Sequence, residues 1–579
     1  MRRLFTLTGC AIVLLMLRLG AGAQTGVITG RVVSEDGGGM PNVPVFLSQV
    51  GSNQRAINAQ PERTATDEDG NFRFTGLAPR LYSVNVLAAK GYVYQPVPAS
   101  ERNNRGYHRI GDSVTLTLIR GGVITGRVTT ATGEPMIGVQ VSAMMVRDFE
   151  GSPLRQQGGG RPRTTDDRGV YRLYGLTPGT YVVFTRGAMS GSQISAYDGY
   201  APAYHPSSPR ETAAEITVTS GGEATGVDIR YRGERGHTVS GAAIGGAEPS
   251  QQNIGVSVML FNVSSGFMAG TGYVRQGEGQ NGFAINGVVD GEYEITARRI
   301  GPEGDELFAS PPRRITVKGA DVGGIELRLA PLASVSGKVV VGASPNACES
   351  KRNSSLEEVI VSARRDTTAT SAASQAALFQ PGGSVNDKGE FTISGLVANR
   401  YFISPRLPDE NWHVKSIAAP AAAPGRGSAI KSAANNDVGR NGFTVKSGDK
   451  MTGVIVTITG GAASLRGKVA PEKEDSRLPA RMLVHLTPAE TTSADDVLRY
   501  AETAAGKDGA FEFKHIAPGK YRMLARAAPD DEPSDRPATP IAWDANERAK
   551  LRRETAAAKN EIELQPCGRV KDYVLRFNP

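Results

Sequence analysis

Short runs of alternating apolar and polar residues recur along the chain and fall into five like sets. In the second set, Gly122-Val123-Ile124-Thr125-Gly126-Arg127-Val128 and Val139-Gln140-Val141-Ser142-Ala143 both alternate with period two, as a strand does with one face on a core. An acidic turn follows at Asp166-Asp167-Arg168-Gly169, where Asp hydrogen-bonds the turn backbone and Gly supplies a positive φ. Beyond it Tyr171 and Leu173 share a face, as do Phe72 and Phe74, Phe283 and Ile285, Phe391 and Ile393, and Phe511 and Phe513. These pairs are expected in cores. A Gly-x-Tyr turn then reverses the chain, with its tyrosines at Tyr82, Tyr181, Tyr293, Tyr401 and Tyr521. Arg80 and Asn399 replace the Gly in copies one and four; Asn399 is expected to take a positive φ and Arg80 a different turn. Each set closes on another alternating strand: Val114 to Leu118, Val227 to Tyr231, Ile325 to Leu329, Val454 to Ile458, and Tyr573 to Phe577.

A repeat of roughly 100 residues is too long for a solenoid unit and suits one small β-domain per copy. About seven short strands in each copy predict an all-β chain, a tandem array of five β-sandwiches. The boundaries are expected at 24–119, 120–232, 233–331, 332–460 and 461–579, with 1–23 outside the fold. A single helix is predicted, over Ala545 to Lys559 in the last copy, with Asp544 and Glu547 forming a capping box. Its apolar stripe is thin, which suits light packing or the shielding of an edge strand. The 70 glycines and 34 prolines match turn-rich β-structure.

The N-terminus reads as a signal peptide: Arg2 and Arg3, an apolar run from Leu4 to Leu17, then Ala21-Gly22-Ala23 before Gln24. The run is too short for a membrane span, and no longer one follows. Export to the periplasm, cell surface or extracellular space is therefore expected, with no membrane span after cleavage. In that oxidising setting the two cysteines left after removal of Cys10 acquire a meaning. Cys348 and Cys567 are either a bridge fastening copy four to copy five or two separate thiols, and both readings stay open. The net charge of +8 is thinly spread. The clusters Arg298-Arg299, Arg313-Arg314, Arg364-Arg365 and Arg548 to Arg553 lack interleaved aromatics, read as solvated faces, and point to no nucleic acid.

The pattern Gly-x-Val, Thr-Asp-x-x-Gly-x-Phe/Tyr-x-Phe, Gly-Leu-x-Pro-Gly-x-Tyr resembles the carboxypeptidase regulatory-like domain. Copies one, two and five match it well; copy three has Gly279-Gln280-Asn281-Gly282 in place of the acidic turn. The segment around Tyr204-His205-Pro206 resembles secreted bacterial proteins built from tandem copies of this domain. The resemblance implies a transthyretin-like (prealbumin-like), Greek-key sandwich of about seven strands. It implies little about activity, because the family is an accessory module found beside peptidases, receptors and adhesins.

The histidines, His108, His205, His237, His413, His485 and His515, lack the short His/Glu spacing of a metallocarboxypeptidase zinc site. No Gly-x-Ser-x-Gly elbow and no Gly-rich phosphate loop occurs. Asp67-Glu68-Asp69-Gly70 clusters oxygens but lacks the further spaced ligands of a calcium loop, so it reads as a solvated turn. The strands after Gly-x-Tyr carry no Glu at the place an isopeptide crosslink of related adhesin repeats would need. Aromatic rings remain: Tyr197, Tyr200 and Tyr204 could stack on sugars, or could pack over the joint between copies.

The chain is accordingly expected to be a non-catalytic exported binding or scaffold protein with no cofactor and no metal. Its partner is expected to be a polysaccharide or another envelope protein. Polysaccharide binding through a starch-binding-like sandwich and service as accessory subunit of a separate peptidase are the alternatives.

Overall fold

The computed structural model describes residues 26–50, 62–86, 91–97, 106–154, 161–186, 199–207, 209–245, 255–275, 281–300, 307–344, 348–349, 352, 354–366, 382–419, 437–472, 477–528 and 540–577. The signal segment and Tyr197 lie outside them.

In every copy the opening strand sits between two partners. Gly26–Ser34 runs antiparallel to Asn71–Leu77 and parallel to Ser113–Arg120. Gly122–Thr130, His237–Ile244, Ala333–Val341 and Ala463–Pro471 repeat this arrangement, and each pairs parallel with its own closing strand. The second sheet is built on the antiparallel pair of the second strand with the strand through the repeated tyrosine, as Pro44–Gln49 with Tyr82–Val86 and Met482–Pro488 with Gly519–Ala527. Between the two sheets lie the alternating residues, one buried cluster per copy. Phe72, Phe74, Tyr171, Leu173, Phe283, Ile285, Phe391, Ile393, Phe511 and Phe513 are all buried in them. The chain is a tandem array of β-sandwiches.

The opening glycine is required by close approach. A Cβ at Gly126 would overlap the Val227 carbonyl of the closing strand, and one at Gly337 would overlap the Val454 carbonyl. The same main-chain oxygen blocks Gly30, Gly241 and Gly467, so only glycine lets the parallel pair close.

Several features differ from the sequence-based expectation. Asn399 is not among the residues with positive φ; its carbonyl-side register continues the strand Asn399–Arg406. The helix spans Ala545–Ala558, with Asp544 Oδ1 accepting from the main chain of Asn546 and Glu547 at 2.8 and 2.9 Å. It covers the face of the two inner strands, Met482–Pro488 and Gly519–Ala527, and not an edge. Its buried stripe is Arg548, Leu551 and Thr555, and Thr555 hydrogen-bonds Thr487 at 2.9 Å.

The arginine clusters are only partly solvated. Arg299 is buried with its guanidinium 5.5 Å from the Phe308 ring, and Arg364 lies 4.9 Å over the Trp543 ring. Arg548 is buried and donates to the Ala542 carbonyl at 2.6 Å. An aromatic face or a main-chain carbonyl replaces water for each of them, which a charge count does not reveal.

Candidate functional site

The repeated motif residues are consumed by their own copies. Asp67 Oδ1 accepts from the main chain of Asp69 and Asn71 at 3.0 and 2.7 Å, and Asp166 Oδ1 from Arg168 and Val170 at 3.0 and 2.8 Å. These main-chain donors, Asn71 and Val170 foremost, hold both carboxyls below the usual carboxylate range. Asn386 does the same in copy four, accepting from Lys388 and Glu390. Thr66 and Thr165, which precede the two acids, tie the turn to the loop before the second strand. Thr165 Oγ1 accepts from Val139 N at 2.9 Å and donates to the Met136 carbonyl at 2.6 Å, and Thr66 bonds Val43 and Met40 likewise.

Each Gly-x-Tyr tyrosine donates to the carbonyl four residues back. The pairs are Tyr82 to Ala78, Tyr181 to Thr177, Tyr293 to Val289, Tyr401 to Val397 and Tyr521 to Ala517, at 2.6 to 3.1 Å. Burial pushes the hydroxyls of Tyr293 and Tyr521 up to about 12, so they stay protonated donors. Among the described residues no group of three or more His, Cys, Asp or Glu could hold a metal ion.

The remaining chemistry gathers at the joints. Tyr204 is buried and stacks on Phe184 at 5.1 Å. The half-buried Tyr200 meets Tyr231 edge-on at 5.9 Å, with the Arg235 guanidinium 5.6 Å from its ring. Its main chain bridges to Arg235, and its carbonyl lies against Gly287 of copy three. Tyr200 thus packs at the joint between copies two and three. A cleft of about 690 Å³ opens between copies one and two, lined in part by Glu35, Gln95, Phe149, Pro178, Thr180 and Thr217.

The joint between copies four and five is the most tightly built. Cys348 and Cys567 are bonded, with Cα atoms 5.5 Å apart. Lys514 pairs with Glu410 across it at 3.0 Å. Trp543 stacks on Phe402 at 4.1 Å, and His515 Nδ1 lies 3.0 Å from the Trp412 carbonyl. Burial, then the Arg499 and His515 charges, push His413 down to about 4; burial lowers His515 as well.

Copies one and four also meet, across two intervening copies. Arg109 donates from Nε and Nη2 to Glu358 Oε2 at 2.9 and 2.6 Å, from Nη2 to Ser354 Oγ at 2.9 Å, and from Nη1 to the Pro408 carbonyl at 3.3 Å. Arg352 pairs with Asp112 at 2.6 Å, Arg80 with Glu357 at 3.4 Å, and Arg406 lies 4.2 Å over the Tyr107 ring. Nothing in the sequence signals these contacts, whose members stand 240 to 299 residues apart.

Residues 27–104 match the carboxypeptidase regulatory-like domain. The first copy is thus similar to a carboxypeptidase regulatory-like domain. Copies two to five repeat the strand pairing of this regulatory-like domain. No curated protein matches the chain. Among solved structures, the Bacillus anthracis TIE protein is 12% identical, with 53% of this chain and 50% of that one covered at a TM-score of 0.14. The chain thus spans about half the length of the TIE protein. GBS52, the minor pilin of Streptococcus agalactiae, is 14% identical over 39% of this chain and 100% of its own, at a TM-score of 0.20. The shaft pilin SpaA of Lactobacillus rhamnosus GG is 12% identical over 36% of this chain and 98% of its own, at 0.17. Among the described residues no helix is long and apolar enough to cross a membrane.

Proposed function

We infer that the chain is a non-catalytic, exported scaffold of the cell envelope or extracellular space, made of five regulatory-like sandwiches that present surfaces to another envelope protein. The observation that carries this reading is the internal use of the repeated residues. The acidic turns bind their own main chain, the tyrosines their own turns, and the opening glycines admit their own closing strands. A catalytic site grafted on the repeat would need polar groups left over for substrate. Cleavage after Ala23 and an oxidising compartment accord with a disulfide between copies four and five. A polysaccharide partner is the weaker reading, since Tyr200 and Tyr204 pack on Tyr231 and Phe184.

Cell fractionation with N-terminal sequencing is expected to find a mature chain beginning at Gln24 in the exported fraction. Purified full-length chain is expected to release no amino acid from peptide substrates, with or without chelator, and to capture an envelope protein but no polysaccharide. Chelator-sensitive peptidase activity overturns the non-catalytic reading. Retention on polysaccharide that Tyr200→Ala abolishes restores the sugar reading.

A further inference from the structure

We propose that the contact between copies one and four is a reversible latch. It holds the array coiled on itself when closed, and on opening it lengthens the chain while copies four and five stay bonded. The proposal adds a two-state geometry to the scaffold reading and stands without export or a partner.

The chemistry of the contact separates it from every other joint. Neighbouring copies are joined by at most a few residues of chain, so their proximity is enforced. Copies one and four are separated by copies two and three, so their contact exists only through its own attractions. Those attractions are mainly side-chain charges carried on loops and on the short 3-10 turn Leu356–Glu358, with no strand pairing across them among the described residues. Arg109 is the centre. Its guanidinium donates to Glu358, Ser354 and the Pro408 carbonyl, all on copy four, and its main chain alone is engaged within copy one. An arginine so placed contributes to docking and not to the folding of its own copy.

Glu358 is 3% exposed and Arg109 14% exposed at the side chain, so the pair is largely dry when docked. Apart, each ion would be rehydrated, which makes both states accessible; together they form a charge-assisted fork. Arg352–Asp112 and Arg80–Glu357 ring this centre at more exposed positions, where salt screens them. A second crossing accompanies the first: Lys507 of copy five lies 3.6 Å from Glu150 of copy two. Contacts one-to-four and two-to-five share an offset of three copies, as a coiled row of five produces. By contrast the joint of copies four and five carries a covalent bond and a stacked tryptophan, which salt does not release.

Small-angle scattering of the monodisperse full-length chain tests the latch. A compact chain of this length has a radius of gyration on the order of 25 Å, and an extended string of five modules about twice that. The unaltered chain is expected near the lower value, with Arg109→Glu or Glu358→Arg moving it well towards the upper one. The double reversal Arg109→Glu with Glu358→Arg is expected to restore compactness, and circular dichroism to stay unchanged throughout. Zero-length carbodiimide coupling is expected to join the Lys507 and Glu150 peptides within monomers of the unaltered chain and not in Arg109→Glu. An unaltered chain already as extended as the single reversals overturns the proposal, as does coupling confined to covalent dimers. A double reversal that stays extended with its fold intact overturns the assignment of the pair.

Discussion

Gly126 shows how much of a sandwich can depend on one missing atom. An added Cβ would overlap the Val227 carbonyl of the parallel closing strand and would sit 2.9 Å from the Tyr171 hydroxyl. The carbonyl is main chain held in the sheet, so it cannot swing away as a flexible side chain would. Gly126→Ala is therefore expected to destabilise copy two by on the order of 2–4 kcal/mol, as overpacking against fixed backbone does. Denaturant titration followed by far-UV circular dichroism would read this as an early transition for part of the amplitude. A change within about 0.5 kcal/mol would mean that the strands can part locally without loss. At this scale much was legible. Period-two alternation located Phe72, Tyr171 and Phe511 in cores, because core position depends on local pattern alone. Arg299, Arg364 and Arg548 were misread as solvated, because what covers each of them comes from elsewhere in the fold.

Between elements, the joint of copies four and five half-buries two histidines. His413 stands on the strand Trp412–Ala418, facing the Arg499, His515 and Lys415 charges. His515 faces Glu410, Lys514 and Asp409, with its Nδ1 at the Trp412 carbonyl. Both are neutral at pH 7, since burial lowers each below its ordinary value, His413 to about 4. When the copies unfold, each returns to the ordinary 6.5. Between that value and about 4 the unfolded chain binds protons that the folded joint refuses, so stability is full above pH 6.5 and falls as the medium acidifies towards 4. The thermal midpoint of this joint is expected to drop from pH 7 to pH 4.5, and to drop less in His413→Gln. Parallel pH profiles for the two proteins would remove His413 from this account. The histidines were visible in sequence, but only as residues lacking zinc spacing. Their role depends on which element covers them, and Arg499 reaches His413 from the next copy.

Across the whole molecule the joints differ in kind: covalent between four and five, cation–π between two and three, ionic between one and four. The tandem organisation was legible because each copy repeats its own local signals. The contact of copies one and four was not, since ion pairs 249 and 240 residues apart leave no periodic trace. One consequence can be measured without altering the chain. Its only two tryptophans, Trp412 and Trp543, both lie at the joint of copies four and five. Tryptophan fluorescence therefore reports that pair of copies, whereas far-UV circular dichroism reports all five. The two probes are expected to give non-coincident unfolding curves, as independent cooperative units do. Reduction of Cys348–Cys567 opens a closed loop with a sequence separation of 219 residues, which should destabilise the pair by about 2–4 kcal/mol. Reductant should then move the fluorescence transition to lower denaturant while the circular dichroism of the other copies keeps its place. Coincident curves that shift together would mean that the ionic contact of copies one and four couples the array into a single cooperative unit.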